Sequence, residues 1–461
     1  MNCSHLPIYI DIHQRHVHGS DSLEYDTPVG FGSPAQNQSL FPSLTHNETS
    51  VADVDLRRES NLTNRSNGTG GFFQPDESRT WKADKAYKST DINSSSEDAV
   101  FGSDTVHLYT HFFQTEPVSE TTVDNFPLKV ISNGSAVPGK LGLGPQSTLL
   151  TKLYDDSLIS SRSFGLYVGN GSPQTKGSIV NGSLTLGGYD SKRFTGGVYK
   201  YTLDSSGANP FRVHVKQIIL HDDGGEVQNV SLVKGDGFDA QITTDQYALS
   251  LPADVTRAYA DALDAATPSG DADSSFRINN KPFNGTMSVI LSTGFTVKRQ
   301  NISWSNAVVA GRQQNLNRSN DDNGRGPEQF YLGNAWLSQV YLVANYDDNT
   351  FHLAQAVQDT DFVSLQTLCP GDVPRPYADP DTSSFAKRGL VGAVIGGVGA
   401  AILLLYLGVW IYASYREARR RMKTVHWFKG TNKSMEVPTF DEGDEMIAMM
   451  HNDDKVRRDS S

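Results

Sequence analysis

Residues 163–203 read SFGLYVGNGSPQTKGSIVNGSLTLGGYDSKRFTGGVYKYTL, and this stretch limits the possible folds more than any other in the chain. Phe164, Leu166 and Val168 alternate with smaller or polar residues, the period of a strand with one face buried. A polar, Gly-rich loop follows, then a second alternating run, SLTL at 183–186, which ends on Gly187 and Gly188. Two adjacent glycines suit a tight turn or a close backbone contact where a side chain would clash. A third strand is predicted over 198–203. Together these runs predict a meander in a mostly β domain. Hydrophobic residues make up 37% of the 461, with 41 Gly and 20 Pro, so the chain is globular and rich in turns rather than disordered.

The wording LTLGGYDSKRFTG closely resembles the stretch of pepsin-like aspartic proteases that ends the first lobe and leads to the second. Other segments fall in place on either side. VGFGSPAQ at 29–36 resembles the family's IGTPAQ hairpin, and FQPDESRTW at 73–81 its FxPxxSxT segment. GSDTV at 102–106 is similar to GYDTV, and GKLGLG at 139–144 to GILGLG. FYLGNAWLSQVYLVANYDDNTF at 330–351 is similar nearly throughout to LGxxFLxxxYxVFDxxNxxxGLA. Periodicity agrees there: a short helix, a strand alternating Val340, Leu342 and Ala344, a turn at Asp348-Asn349 and a closing strand. Spacing also predicts helices over 148–160 and 254–265. The resemblance covers about 28–356 and implies a bilobal, mostly β fold. It divides the chain into an N-terminal strand segment (1–27), an N-terminal lobe (28–200) and a C-terminal lobe (201–356).

The family's chemistry needs one carboxylate from each lobe, the pair sharing a proton and activating a water. Counted from Gln36, the first aspartate position falls on Ser43, followed by Leu44 and Thr45, and no aspartate occurs between Gly32 and Val51. In the second lobe, counting back from Pro252 gives Thr243, with Thr244, Asp245 and Gln246 in place of the Thr/Ser-Gly-Thr/Ser that follows. Asp245 is the one rescue candidate, after a two-residue shift that would still leave the turn without its glycine. The flap tyrosine position falls on Ile92, with NSSS at 93–96 in place of the glycines. The resemblance therefore implies a fungal-type, membrane-anchored member without catalytic residues, a pseudoenzyme that binds an extended peptide or other ligand. The alternative is an active membrane-bound aspartic endopeptidase using Asp245 and a second, unassigned carboxylate.

Outside that site the sequence is less specific. The net charge of −12 argues against a nucleic-acid-binding surface, and no motif calls for a cofactor. His13, His16 and His18 form a weak metal-site pattern; as a strand, His16 and His18 would share a face, but no Cys or carboxylate cluster completes a ligand set, so no metal is expected. His107 and His111 read as ordinary strand or loop residues. Cys3 and Cys369 are the two cysteines, and the shared sheet that the resemblance implies would let them form a disulfide. Asn-x-Ser/Thr sequons stand at Asn2, Asn37, Asn47, Asn61, Asn64, Asn67, Asn93, Asn133, Asn170, Asn181, Asn229, Asn284, Asn301 and Asn317. Their crowding ahead of the apolar segment predicts an exported, glycosylated ectodomain. The first residues lack a basic n-region and an apolar h-region, so a start site placed too late is expected.

A polar stalk is expected over 357–388. Residues 389–414 carry no charge and, at about 25 residues, are long enough to span a bilayer as one transmembrane α-helix. Arg416, Arg419, Arg420, Arg421 and Lys423 follow it, so the short tail, 415–461, is expected to be cytosolic and disordered. Gly392 and Gly396 form a small-xxx-small face that would suit helix pairing. Expected localisation is the plasma membrane or a secretory-pathway membrane, single-pass.

Overall fold

The computed structural model describes residues 3–21, 23–54, 69–89, 91, 98–110, 119–133, 139–171, 179–205, 209–222, 229–262, 285–299, 308–310, 330–378 and 403–420. Two compact units result, 1–377 and 378–461.

The first unit is built on a sheet of 14 strands among the described residues. Strand Ile8–His16 makes the join between its two halves. Its first half pairs antiparallel with Gly182–Leu186 (Ile8 opposite Leu186), and its second half with Leu23–Phe31 (His13 opposite Asp26). Ser163–Tyr167 lies between Gly182–Leu186 and Val340–Asn345, and Thr350–Ala356 and Phe194–Thr202 complete that side. The alternating runs at 163–203 thus form strands, but Ser163–Tyr167 and Gly182–Leu186 are buried on both faces rather than on one, because they lie inside the shared sheet. Gly187 has φ +77°, and a Cβ there would lie 2.5 Å from Ile159 Cβ; a Cβ on Gly188 would strike the Gln366 carbonyl. Both glycines are therefore demanded by close approach, as their pairing suggested.

The meeting of early and late chain segments also brings the cysteines together. Cys3 and Cys369 are disulfide-bonded with their Cα atoms 6.0 Å apart. Nearby, Leu365–Thr367 pairs with Gly188–Asp190, and the Tyr377 amide donates to the Ser191 carbonyl at 2.8 Å. The expected stalk at 357–388 is thus corrected over its first part: residues 357–377 belong to the compact body, because a disulfide and backbone pairing hold them there.

A second sheet, of eight strands among the described residues, carries the later lobe. In it Arg212–Asp222 pairs with Gly285–Leu291 and Phe238–Ile242. The buried Phe211 ring ties this lobe to the shared sheet, packing edge-on against Phe351 at 5.3 Å and Phe164 at 6.5 Å between centroids. The helix expected over 148–160 spans only Thr148–Asp155. Ser147 caps its start, accepting the Leu150 amide at 3.1 Å, and Ser157 at φ 59° turns the chain out of the helix. The later helix, Ala253–Ala262, buries Val255, Tyr259 and Ala260.

Of the second unit, residues 403–420 are described as one helix, and besides them only Ala378. Among the described residues no helix is long and apolar enough to cross a membrane. Gly392, Gly396 and the rest of 389–402 lie outside them, as do Ile92, His111, Asn2, Asn61, Asn64, Asn67, Asn93, Asn284, Asn301 and Asn317.

Candidate functional site

Two loops meet where the lobes face each other. Strand Gln36–Ser43 pairs in parallel with Lys140–Gly142, and Phe238–Ile242 pairs in parallel with Tyr331–Leu332. The turns beyond these strands match. The His46 carbonyl accepts the Gly144 amide at 2.8 Å, and the Gln246 carbonyl accepts the Asn334 amide at 2.8 Å. Ser43 stands three residues before His46 and Thr243 three before Gln246, so Ser43 and Thr243 occupy equivalent places, as do Thr45 and Asp245. A further contact crosses between the loops: the Leu44 amide donates to Thr244 Oγ1 at 3.2 Å.

Asp245 reaches the floor, where the two loops meet, from the place equivalent to Thr45 and without a shifted register. Ser43 Oγ donates to Asp245 Oδ1 at 2.8 Å, and Thr45 Oγ1 donates to Oδ2 at 2.7 Å. Thr243, directed at the same carboxylate, accepts the Asp245 amide at 3.1 Å and donates to Oδ2 at 3.4 Å. The structure thus gathers Ser43, Thr243 and Asp245 around one point. Among the described residues, Asp245 is the one carboxylate in hydrogen-bond contact with Ser43 or Thr243.

Sequence reasoning missed two members. His46 Nδ1 lies 2.8 Å from Ser43 Oγ and 3.0 Å from Thr45 Oγ1, while Lys140 Nζ lies 3.0 Å from His46 Nε2. Lys140 Nζ is also 4.0 Å from Asp245 Oδ1. The clue to Lys140 was present, since GKLGLG puts a cation where the family's GILGLG has an apolar residue. The clue to His46 was its place three residues after Ser43, inside the same turn.

These distances fix the direction of the proton chain. An ammonium has only donors, so Lys140 donates and His46 Nε2 accepts. Burial, and next the Lys140 charge, hold the His46 pKa below its ordinary value, so the ring is neutral at neutral pH. A neutral ring with an accepting Nε2 carries its hydrogen on Nδ1, which donates to Ser43 or Thr45. The two hydroxyls in turn donate to Asp245. A serine nucleophile needs the reverse arrangement, an imidazole lone pair directed at the hydroxyl proton. Here that lone pair is engaged by Lys140. Lys140, His46, Ser43 and Asp245 form a self-satisfied polar chain.

Among the described residues, no group of three or more His, Cys, Asp or Glu side chains could hold a metal ion. Strand Ile8–His16 ends before His18, whose Nδ1 lies 2.8 Å from the Phe72 carbonyl, so His16 and His18 do not share a strand face as expected. Several sequon side chains are engaged by the fold, Asn229 Oδ1 lying 2.7 Å from His221 Nδ1. Asn37 Oδ1 accepts the Tyr109 hydroxyl at 2.9 Å, and Asn47 Oδ1 accepts the Gln146 amide at 2.8 Å.

Residues 24–356 match the family model for eukaryotic aspartyl proteases. The chain belongs to the eukaryotic aspartyl protease family. This member is 26% identical to rhizopuspepsin-3 of Rhizopus niveus over 340 residues, spanning 70% of this chain and 77% of that protein. It is 28% identical to rhizopuspepsin-5 of the same organism over 256 residues, 53% of this chain and 58% of that one. With rhizopuspepsin-4 the identity is 24% over 342 residues. An aspartyl protease domain thus fills the first unit, and the matched turns hold Ser43 and Thr243 at equivalent points of its two halves.

Proposed function

We propose that this aspartyl protease relative is catalytically silent and acts by binding an extended peptide between its lobes. One observation carries the reading: Asp245 is the carboxylate at the floor, and each of its oxygens already accepts a hydroxyl hydrogen. The family's mechanism requires two carboxylates that share a proton. A hydroxyl at Ser43 and another at Thr243 stay neutral at any working pH and supply no base. Full-length protein should therefore retain extended peptides on a column and release them at unchanged mass. Peptides recovered as fragments would restore the endopeptidase reading.

We further propose that the protein is glycosylated and anchored by one span over 389–414. Support comes from the uncharged composition of that stretch and from the basic cluster after it. The described helix, 403–420, also leaves its large apolar side chains uncovered: Leu403, Leu404, Leu405, Trp410 and Ile411 are each more than half exposed. Such a surface suits a lipid environment and is unfavourable in water. Asn181, exposed on the surface of the first unit, is the best described acceptor for a glycan. Protease added to intact cells should digest the region before 389 and spare an epitope placed after Lys423, and glycosidase treatment should raise the mobility of the chain. Protection of the first unit in that experiment would reverse the topology.

A further inference from the structure

Beside the floor lies a cavity of about 220 Å³. Its walls are mostly apolar and aromatic, from Ile12, Tyr25, Phe41, Val168 and Tyr247, with the polar Asn170, Asn334 and Ser338 at its sides and Asp26 as its acidic member. Pro42, which immediately precedes Ser43, and Tyr247, two residues past Asp245, also line it, so it adjoins the junction of the two lobes.

Asp26 is out of keeping with these walls. Its backbone is fixed in strand Leu23–Phe31 opposite His13, yet its carboxyl makes no hydrogen bond or ion pair among the described residues. Burial, together with the nearby Glu24 carboxylate, pushes its pKa well above the ordinary carboxylate range. Tyr25 offers no relief, because its hydroxyl is directed to the Val168 and Val180 carbonyls at 3.2 and 2.7 Å. A partly buried carboxyl that faces a mostly apolar cavity without a partner is unfavourable in an empty site. It becomes favourable when a cation enters and supplies both charge and donors.

We propose that this cavity binds the charged end of a basic ligand, an ammonium or guanidinium on a short apolar stem, with Asp26 as counter-charge. The aromatic walls add to the preference, since a desolvated cation is attracted to a ring face. The volume is below the ~300–1,000 Å³ of a typical small-molecule pocket, which suits a lysine- or arginine-sized group. Two sources share that chemistry: a free alkylamine, or a basic side chain of a peptide lying between the lobes. The second source rests on the peptide-binding reading; the first does not.

Calorimetry on the full-length protein tests both. Probes are n-butylammonium, n-butylguanidinium and the neutral n-butanol, then an unstructured pentapeptide with central lysine and its norleucine counterpart. Either cation should bind at least about tenfold tighter than butanol, a 1.4 kcal/mol difference. Asp26→Asn should reduce that preference below about threefold while leaving the melting temperature no lower, because it removes an unpaired, partly buried carboxyl. Val168→Phe should fill the space and abolish cation binding with Asp26 still present. Equal binding of butanol and butylammonium, no binding of any probe, or a preference retained in Asp26→Asn would overturn the proposal. A lysine preference among the peptides assigns the source to a bound peptide. Cation binding without that preference keeps the site, assigns it to free amines and counts against the peptide-binding reading alone.

Discussion

Purified full-length protein incubated with an unfolded protein substrate across the acid range should produce no cleavage above background. The expectation follows from the floor. General-base catalysis contributes about 10²–10⁴-fold, and it requires a group that takes a proton from water. Ser43 and Thr243 occupy the two equivalent places, and their hydroxyls can hold a water without activating it. Asp245 is ionisable, but Ser43 and Thr45 already donate to its two oxygens at 2.8 and 2.7 Å. His46 does not substitute, since Lys140 engages its Nε2 at 3.0 Å and its pKa is held down by burial. The decisive measurement pairs wild type with Asp245→Asn in the presence and absence of a transition-state-mimicking inhibitor of the family. Inhibitor-sensitive cleavage that disappears in Asp245→Asn would make this an enzyme. Inhibitor binding without turnover would fit a cleft that is retained and silent.

Removing the disulfide should be the largest single loss of stability. Cys3 and Cys369 are 366 positions apart in sequence, so their bond closes most of the first unit into one loop. In the chain-entropy model a loop of this length is worth about 6 kcal/mol. For a domain of this size that corresponds to a fall of roughly 5–10 °C in melting temperature. The contacts near the bond would weaken with it: the Leu365–Thr367 pairing to Gly188–Asp190, and the Thr367 hydroxyl donating to the His5 carbonyl at 3.0 Å. A Cys3→Ala/Cys369→Ala double variant melting within a degree of wild type would show that the sheet alone holds the chain ends together. Limited proteolysis of that variant should cut first within 357–377.

Much of the fold was legible because it rests on local pattern. Alternation at 163–168 and 183–186 gave strands, and the glycine pair at 187–188 marked a close approach that the structure confirms against Ile159 and Gln366. The helix over 148–160 was overextended because periodicity does not register a left-handed residue, and Ser157 is one. The folded character of 357–377 escaped for a different reason. A polar, Pro-bearing segment reads as a linker until a distant cysteine and an unpaired strand edge are found beside it.

The candidate site divides along the same line. Local spacing, from Gln36 to Ser43 and from Thr243 to Pro252, was enough to single out Ser43 and Thr243, which the structure holds at equivalent places in the two turns. Sequence by itself also showed that no aspartate occurs between Gly32 and Val51. Only the tertiary structure decided that Asp245 of one lobe would meet Ser43 of the other, across 202 positions, and that Lys140 would orient His46 between them. Asp26 was silent in the sequence for the same reason. Its neighbours Phe41, Val168 and Tyr247 come from separate parts of the chain, and the environment of a buried charge is set by the groups that folding packs around it.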